Sequence, residues 1–343
     1  MSPSLKILAP GLHTTIQDLG RIGYQALGVP VSGALDGFSL RLANALVGNP
    51  QGMAVLEILL SGPIIEIKAD SVRVALVGAG ASLEIRGAQS RAVAAGESTT
   101  LQQGESFQVA LGRQSGCCYL AIEGGIAAPF VLGSASTYAR ARLGGLHGRA
   151  LQQEDIVPLA IARASERAEL RAPTPLPATL EQPIRVVLGP QQEYFTEDAV
   201  ITLLNAEFRV SQNADRMGLR LDGPPLRHRG GWDIISDAIT TGSIQVPGSG
   251  QPIVLLADHQ TTGGYPKIAT VISADLPVVG RRRPGNAIRF AAVEIEAAEA
   301  LCRTAEREFA ELVAALEPTT KAGLDLTSLY CANLISGVIA GSQ

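Results

Sequence analysis

Short apolar runs separated by glycine, proline and serine dominate the first half of the chain. Runs of about four to eight residues that are rich in Val, Ile and Leu and bounded by turn residues are typical of β-strands. The spacing of these runs favours a sandwich or barrel over repeated βαβ units. The predicted strands are 54–60, 64–68, 72–77, 82–85, 106–111 and 117–122.

The first helix is predicted to begin at Asp36. Aspartate is a strong N-cap residue, and an apolar stripe with i, i+4 spacing follows it at Phe38, Leu42 and Leu46. Gly48, followed by Asn and Pro, ends the helix. The backbone N–H groups at this helix start either bind a carboxylate or phosphate, or are capped by Asp36 itself.

Two further helices are predicted in the second half. One follows Gly189 and Pro190 and runs towards Leu204. The other covers 291–316, where apolar residues recur among Glu and Arg as in a long amphipathic helix. Its apolar face either closes a core or binds a partner protein. The apolar tail 324–340 either folds back as one more helix or contributes to an interface.

A proline-rich segment at 172–183 divides the chain. Its four prolines are typical of a semi-rigid connector. We therefore expect a mainly β fold with a few helices, in which 1–172 and 184–290 form two β-barrel-like domains and 291–343 forms a C-terminal helical segment. A length of 343 residues is sufficient for two sizeable cores.

Composition and charge exclude several classes of protein. The net charge of −4 and the isoelectric point near 5.7 give no electrostatic footprint for nucleic acid. No charged and then apolar leader and no run of about 20 apolar residues is present, so neither export nor a membrane helix is expected. The four cysteines show no metal spacing, and the adjacent Cys117 and Cys118 are expected to be buried free thiols. Together these features indicate the reducing cytoplasm.

Several catalytic and cofactor motifs are missing from the sequence. It contains no G-x-x-x-x-G-K-[ST] phosphate loop, no G-x-G-x-x-G after a strand, no H-E-x-x-H and no G-x-S-x-G. No lysine lies beside a methionine, so covalent biotin is not expected on this chain. With four scattered histidines, no metal site is expected either.

The densest polar segment runs from Asp258 to Lys267, between two apolar strands, and includes Gln260, Thr262 and Tyr265. It is longer than a simple hairpin turn, so a functional site is predicted, with a solvated Gly-rich turn as the alternative. The chain has only four lysines against 24 arginines. Lys267 therefore either serves for its compact charge and movable pKa or is a surface lysine at a strand start.

Other polar side chains lie within or next to predicted strands and helices, where their position suggests a function. Glu57 is alone in an apolar strand, where an unpaired carboxylate is costly, so it is expected to face a partner or a pocket. The remaining candidates follow a strand, form the turn into the first helix, or lie in the later strand–turn units. They are Gln17, Asp18, Arg21, Ser32, Asp36, Asn213, Arg216 and Gln245.

Four motifs resemble the biotin-dependent carboxyltransferase family, and they run in order from about Lys6 to Phe290. The family includes the C-type subunit of 5-oxoprolinase, the antagonist of the sporulation kinase inhibitor, and half of the carboxyltransferase domain of urea carboxylase (urea amidolyase). The resemblance implies two cyclophilin-like β-barrel domains and a homologous B-type partner subunit, with an A-type third subunit in the 5-oxoprolinase system. The motifs are P-G-L-x-T-T-I-Q-D-x-G-R-x-G-Y-Q, G-V-P-V-S-G-A-L-D, S-Q-N-A-D-R-M-G-L-R-L and G-Q-P-I-V-L-L-A-D-H-Q-T-T-G-G-Y-P-K-I-A-T-V.

Three functions follow from the resemblance. The first is that of the C-type member of a complex that opens 5-oxo-L-proline to glutamate with ATP, at a site shared between subunits. The second is carboxyl transfer to a urea-like amide, with biotin supplied in trans. The third is a binding module that captures a kinase-inhibitor protein and catalyses nothing. A small amide or lactam would be bound by side-chain amides, for which Gln17, Asn213, Gln245 and Gln260 are suitable.

Within the first function, each candidate residue has an expected role. Lys267 would stabilise developing negative charge, and Asp258 or Asp18 would move or orient protons. The helix start at 36–39 would face a carboxylate. The sequence also departs from the family pattern near this site, which allows a different substrate. The departures are His259 in place of a frequent Arg, 281–283 where Gln is common, and 238–242 in place of a turn richer in Gly and Pro.

Overall fold

The computed structural model describes most of the chain, namely residues 2–88, 90–113, 115–173 and 181–319. The middle of the predicted connector and the whole apolar tail 324–340 lie outside the described residues. The predicted domain boundaries therefore stay a prediction.

The described chain is mostly β-structure with a few helices, as the sequence predicts. The strands of the first half are β1 (Ser4–Ala9), β2 (His13–Gln17), β3 (Val55–Leu59), β4 (Ile64–Ile67), β5 (Ser71–Val77), β6 (Ser82–Arg86), β7 (Arg91–Ala94), β8 (Ser98–Gln102), β9 (Ser106–Ala110), β10 (Cys117–Ile122), β11 (Ile156–Pro158) and β12 (Leu170–Arg171). Those of the second half are β13 (Ile184–Leu188), β14 (Phe208–Val210), β15 (Gly218–Asp222), β16 (Asp237–Ala238), β17 (Ser243–Gln245), β18 (Ile253–Leu255), β19 (Thr262–Gly263), β20 (Lys267–Val271), β21 (Ala287–Ile288), β22 (Phe290–Ala292) and β23 (Glu317–Pro318). The α-helices are α1 (Gly37–Leu46), α2 (Glu197–Asn205), α3 (Leu276–Gly280) and α4 (Ile295–Ala314).

The first half contains two antiparallel sheets, with strand orders β11-β1-β4-β9-β6-β7 and β2-β3-β10-β5-β8. Because successive side chains of a strand point to opposite faces, β5 and β10 contribute to two cores. Leu76 and Leu120 belong to the core shared by the two sheets, whereas Val77 and Tyr119 belong to the core under α1. Burial on both faces explains why β10 is an uninterrupted apolar run and why β5 is apolar except for Ser71 and Arg73.

Helices α1 and α4 cover the second of these cores. The predicted start of α1 is confirmed, with Asp36 as its N-cap. The ring of Phe309 on α4 is buried and meets Phe38 edge-on, with ring centroids 5.4 Å apart. An ion pair of 2.7 Å between Arg41 and Glu306 flanks this contact. The apolar face of the long predicted helix therefore closes a core.

The second half is built on one eight-stranded sheet that forms a nearly closed barrel. Its strand order is β21-β14-β15-β18-β17-β20-β13-β22, and residues of α2 and α3 pack on its core. The helix predicted after Gly189 and Pro190 begins later than expected, at Glu197. Thr196 is its N-cap, because its Oγ1 accepts a hydrogen bond from the backbone N–H of Ala199 at 3.2 Å.

Two further observations concern the described residues alone. The thiols of Cys117 and Cys118 are free and buried on β10, as predicted. Within these ranges no helix has both the length and the apolar character needed to cross a membrane.

Candidate functional site

A buried ion pair fixes the start of the polar segment 258–266. The guanidinium of Arg216 donates two hydrogen bonds to the carboxylate of Asp258, from Nε to Oδ2 at 2.9 Å and from Nη2 to Oδ1 at 3.1 Å. The backbone N–H of Asp258 donates in turn to the carbonyl of Arg216 at 2.9 Å. Because both side chains are buried and the ion pair is bidentate, this geometry fixes the position of Asp258, the first residue of the segment.

The same guanidinium reaches the first half of the chain. Its Nη1 donates to Glu57 on β3, and its Nη2 donates to the carbonyl of Gly33 at 2.6 Å. The other oxygen of Glu57 accepts hydrogen bonds from the hydroxyl of Tyr119 at 2.7 Å and from the backbone N–H of Leu35 at 2.9 Å. Glu57 is fully buried, so the partner that the sequence requires for it is Arg216.

The charged groups of this cluster stabilise one another and shift the pKa of Arg216. Burial acts to lower the pKa of Arg216, but the carboxylates of Glu57 and Asp258 outweigh it and raise that pKa. Burial also raises the pKa of Tyr119, helped by neighbouring negative groups, so its hydroxyl keeps the proton that it donates to Glu57. One cation and two anions are thus held together between the two halves.

Asp36 caps its own helix. Its Oδ1 accepts a hydrogen bond from the backbone N–H of Ser39 at 2.9 Å, and its Oδ2 accepts one from the Ser39 hydroxyl at 2.6 Å. The Nε of Arg281 lies 3.2 Å from the same carboxylate. Of the two alternatives for this helix start, self-capping is the one observed, and a bound carboxylate stays a prediction.

Asp18 anchors a loop of the first half. Its Oδ1 accepts hydrogen bonds from the backbone N–H of Gly20 at 2.8 Å and from the hydroxyls of Ser134, at 2.6 Å, and Ser136. Its Oδ2 accepts one from the backbone N–H of Ala135 at 2.7 Å. These four donors orient the carboxylate firmly, so a proton-transfer role, which stays a prediction, would require one of them to be displaced.

Beside this loop, three predicted residues keep unpaired polar atoms in the interior. Arg21 is 1% exposed, and its Nη2 donates to the carbonyl of Ser136. Four buried polar groups here have no hydrogen-bond partner among the described residues: Nε and Nη1 of Arg21, Oε1 of Gln17 and the hydroxyl of Ser32. Because unpaired buried polar atoms are costly, these groups are suited to hold a small polar molecule.

Lys267 is buried, which excludes the alternative of a surface lysine. Its Nζ donates to Oδ2 of Asp237 at 2.8 Å and to the carbonyl of Ala238 at 3.0 Å. Gln191 contacts both partners of the ion pair. Its Oε1 accepts from the backbone N–H of Lys267 at 3.1 Å, and its Nε2 donates to the same Asp237 oxygen at 3.0 Å. The hydrogen bond from Lys267, with those from Ala238 and Gln191, lowers the pKa of Asp237.

Residues 230–238, which we call the strap, include the groups that pair with Lys267. The strap ends in β16, which pairs with β19 over two residues in each strand. Trp232 of the strap lies against the backbone at Gly248, and its ring centroid is 6.0 Å from that of Tyr265. Both aromatic rings are partly exposed, which leaves them accessible to a ligand.

Two side-chain amides lie beside β19. Nε2 of Gln260 donates to Oε1 of Gln245 at 3.3 Å, and Nε2 of Gln245 donates to the carbonyl of Tyr265 at 3.2 Å. The ring of His259 contacts the hydroxyl of Thr241 at 3.2 Å. Burial lowers the pKa of His259, so a neutral ring is favoured at neutral pH.

The structure therefore joins most predicted residues into groups and leaves two outside them. Arg216, Asp258 and Glu57 form one network, and Lys267 lies at the strap. Asn213 is exposed on the turn between β14 and β15, and Thr262 is exposed on β19. For these two residues substrate binding stays a prediction.

Three residues of these groups were not predicted. Tyr119 lies in an apolar strand. A buried hydroxyl there requires a hydrogen-bond partner, and this requirement could have indicated Tyr119 as a site residue. Asp237 belongs to a polar stretch that follows the Arg216 motif, and Gln191 directly follows Gly189 and Pro190. Nothing local indicates that these last two residues meet Lys267. In the described ranges, no group of three or more His, Cys, Asp or Glu side chains is placed to bind a metal ion.

Comparison with known proteins agrees with this architecture. Residues 27–292 match the family model of the carboxyltransferase domain, subdomains A and B. Over 308 residues the chain is 35% identical to the C-type subunit of 5-oxoprolinase from Escherichia coli (strain K12), covering 90% of this chain and 97% of that protein. It is 32% identical to urea amidolyase of Saccharomyces cerevisiae over 322 residues, covering 87% of this chain but 17% of that protein. The crystal structure of Kluyveromyces lactis urea carboxylase is similar with a TM-score of 0.82 and 30% identity, covering 91% of this chain and 29% of that one.

Proposed function

The chain belongs to the family of the carboxyltransferase domain, subdomains A and B, and from this membership we propose that it is the C-type subunit of an ATP-dependent 5-oxoprolinase complex. The proposed complex opens 5-oxo-L-proline, a small lactam, to glutamate in the cytoplasm. Its other members are a homologous B-type subunit and an A-type subunit. The identity of 35%, over 97% of the length of the Escherichia coli subunit, supports this assignment.

The observation that carries the proposal is a buried positive charge near paired amides. Opening a lactam requires stabilisation of negative charge, and a preorganised cation in a water-poor site is effective for this. Lys267 provides such a cation. Gln245 and Gln260 carry both donors and acceptors, which match the C=O and N–H edge of a lactam.

The two candidate carboxylates would act by orienting groups. Asp258 accepts two hydrogen bonds from Arg216, and Asp18 accepts four from its own loop. A carboxylate with its oxygens engaged in this way is held in a fixed orientation by its donors. We therefore propose that Asp258 positions the polar segment and that Asp18 positions the loop that carries Arg21.

We assign ATP to a site shared with the partner subunits. The sequence has no phosphate loop, the motif with which a chain would bind nucleotide phosphates by itself.

A carboxyltransferase that acts on a urea-like amide, with biotin supplied in trans, is the second candidate. Similarity to urea amidolyase and to urea carboxylase favours it. Urea presents the same C=O and N–H groups as a lactam, so the amides near Lys267 suit either substrate.

Reconstitution with the B-type and A-type subunits tests the proposal. We expect ATP hydrolysis that depends on 5-oxo-L-proline in the complete complex and none by this chain alone. Robust turnover by the isolated chain would contradict a shared site. Consumption of carboxybiotin that depends on urea, without any response to 5-oxo-L-proline, would favour the second candidate.

A further inference from the structure

The ion pair between Lys267 and Asp237 is unequal in its exposure. The side chain of Lys267 is 3% exposed, whereas that of Asp237 is 50% exposed. A buried ammonium requires a nearby anion, because its desolvation is otherwise uncompensated. A half-exposed carboxylate, in contrast, is readily hydrated when it leaves its partner. Lys267 therefore depends on the ion pair more than Asp237 does.

The groups around this carboxylate have the geometry of an anion site. One oxygen of Asp237 accepts hydrogen bonds from Nζ of Lys267 at 2.8 Å and from Nε2 of Gln191 at 3.0 Å. Lys267 and Gln191 are tied to each other through the backbone N–H of Lys267, at 3.1 Å, so the two donors are preorganised. The acceptor is carried by the strap, which is held by the two-residue ribbon of β16 and β19 and by a hydrogen bond of 2.8 Å from the backbone N–H of Ile234 to the carbonyl of Gly264.

We propose that Lys267 and Gln191 form a binding site for the carboxylate of a small ligand, and that Asp237 occupies this site until the ligand displaces it. A ligand with a lactam next to its carboxylate would place the lactam towards the side-chain amides near β19. The identity of the natural ligand, 5-oxo-L-proline, rests on the function proposed above. The carboxylate site itself rests on the geometry of Lys267, Gln191 and Asp237.

Trp232 provides the measurement, since it is the single tryptophan of the chain and lies on the strap. The full-length chain is titrated with 5-oxo-L-proline, with acetate, and with 2-pyrrolidinone, which has the same ring without the carboxylate. Binding is followed by tryptophan fluorescence and by calorimetry. The variants are Asp237→Asn, Lys267→Met and, as a control on the same strap, Asp233→Asn, which removes another exposed carboxylate.

An internal competitor lowers apparent affinity in proportion to the time that it occupies the site. We therefore expect Asp237→Asn to bind 5-oxo-L-proline and acetate at least about tenfold more tightly than the wild type. Affinity for 2-pyrrolidinone should not change, Asp233→Asn should behave as the wild type, and Lys267→Met should lose carboxylate binding. Equal or weaker carboxylate binding by Asp237→Asn, or an equal gain for 2-pyrrolidinone, would overturn the proposal.

The two proposals fail in different ways. If Asp237→Asn gains carboxylate affinity but the reconstituted complex shows no ATP hydrolysis dependent on 5-oxo-L-proline, the carboxylate site stands and the proposed function fails. If the complex is active and Asp237→Asn gains nothing, the carboxylate site fails and the proposed function stands. Circular dichroism of each variant verifies that the strap substitution leaves the fold intact.

Discussion

Arg216 and Asp258 are joined by two hydrogen bonds, of 2.9 and 3.1 Å, inside the protein. The same guanidinium also binds Glu57, which is 159 positions away in the sequence. The first residue of the polar segment is thus tied through one arginine to a strand of the other half. This contact places the start of the polar segment where the two halves of the chain meet.

Arg216→Met should strongly destabilise the protein. The change leaves the carboxylates of Glu57 and Asp258 buried without their cation, and breaking a buried ion pair in this way costs about 3–5 kcal/mol. The measurement is the free energy of unfolding in urea. Arg220→Met, at an exposed position on β15, is the matched control and should change it by less than about 0.5 kcal/mol. Similar values for the two variants would show that the network contributes little.

Lys267→Met should lower kcat/KM of the reconstituted complex by about 100-fold or more, because the positive charge at the site is lost. Assembly should be unchanged, and the melting temperature nearly so, since Asp237 is half-exposed and can be hydrated. Steady-state kinetics of the ATP hydrolysis that depends on 5-oxo-L-proline provide the measurement. Lys68→Met, which removes a partly exposed lysine of the first half, is the control.

A loss confined to KM indicates binding of the substrate carboxylate, and a loss in kcat indicates stabilisation of developing charge. Wild-type kinetics would exclude both roles.

Stability should decrease as the pH falls from about 7 towards 5. Burial lowers the pKa of His259 below its usual value of 6.5, and it does the same for His13. The unfolded chain therefore binds more protons than the folded chain just below pH 6.5, so the free energy of unfolding decreases as the pH decreases through this range. Melting temperatures across this range measure the effect. His259→Gln should flatten the curve, whereas the exposed His147→Gln should not. An unchanged slope in His259→Gln would argue against its contribution.

No covalent biotin should be attached when the chain is expressed with a biotin ligase. None of its four lysines lies beside a methionine, as the attachment motif requires. A streptavidin blot, with a biotin carrier protein as positive control, decides the point. A stable biotinylated band at the mass of this chain, 35.7 kDa, would contradict the expectation.

Local features of the sequence were sufficient for much of the fold. The N-cap at Asp36 and six strands of the first half were predicted from capping and short-range apolar patterns, and the structure confirms them within one or two residues. The other strands of the first half are less apolar and were not predicted with bounds. The amphipathic helix at the end of the second half is confirmed for the same reason. The start of α2 shows where such local prediction fails. Gly189 and Pro190 suggested an early helix start, whereas the true N-cap is Thr196, which is also a local signal.

The sequence by itself indicated most of the candidate site residues, because polar groups in apolar strands and in Gly-rich loops are conspicuous in the sequence, but it did not indicate Asp237 or Gln191. Only the tertiary structure decided how they combine. Glu57 could have faced a partner or a pocket, and Lys267 could have been a surface residue. The pairing of Glu57 with Arg216 and of Lys267 with Asp237 depends on strand register and on packing between segments distant in sequence. Periodicity and composition report the environment of a residue but not the identity of its partner, so these contacts could be found only in the folded chain.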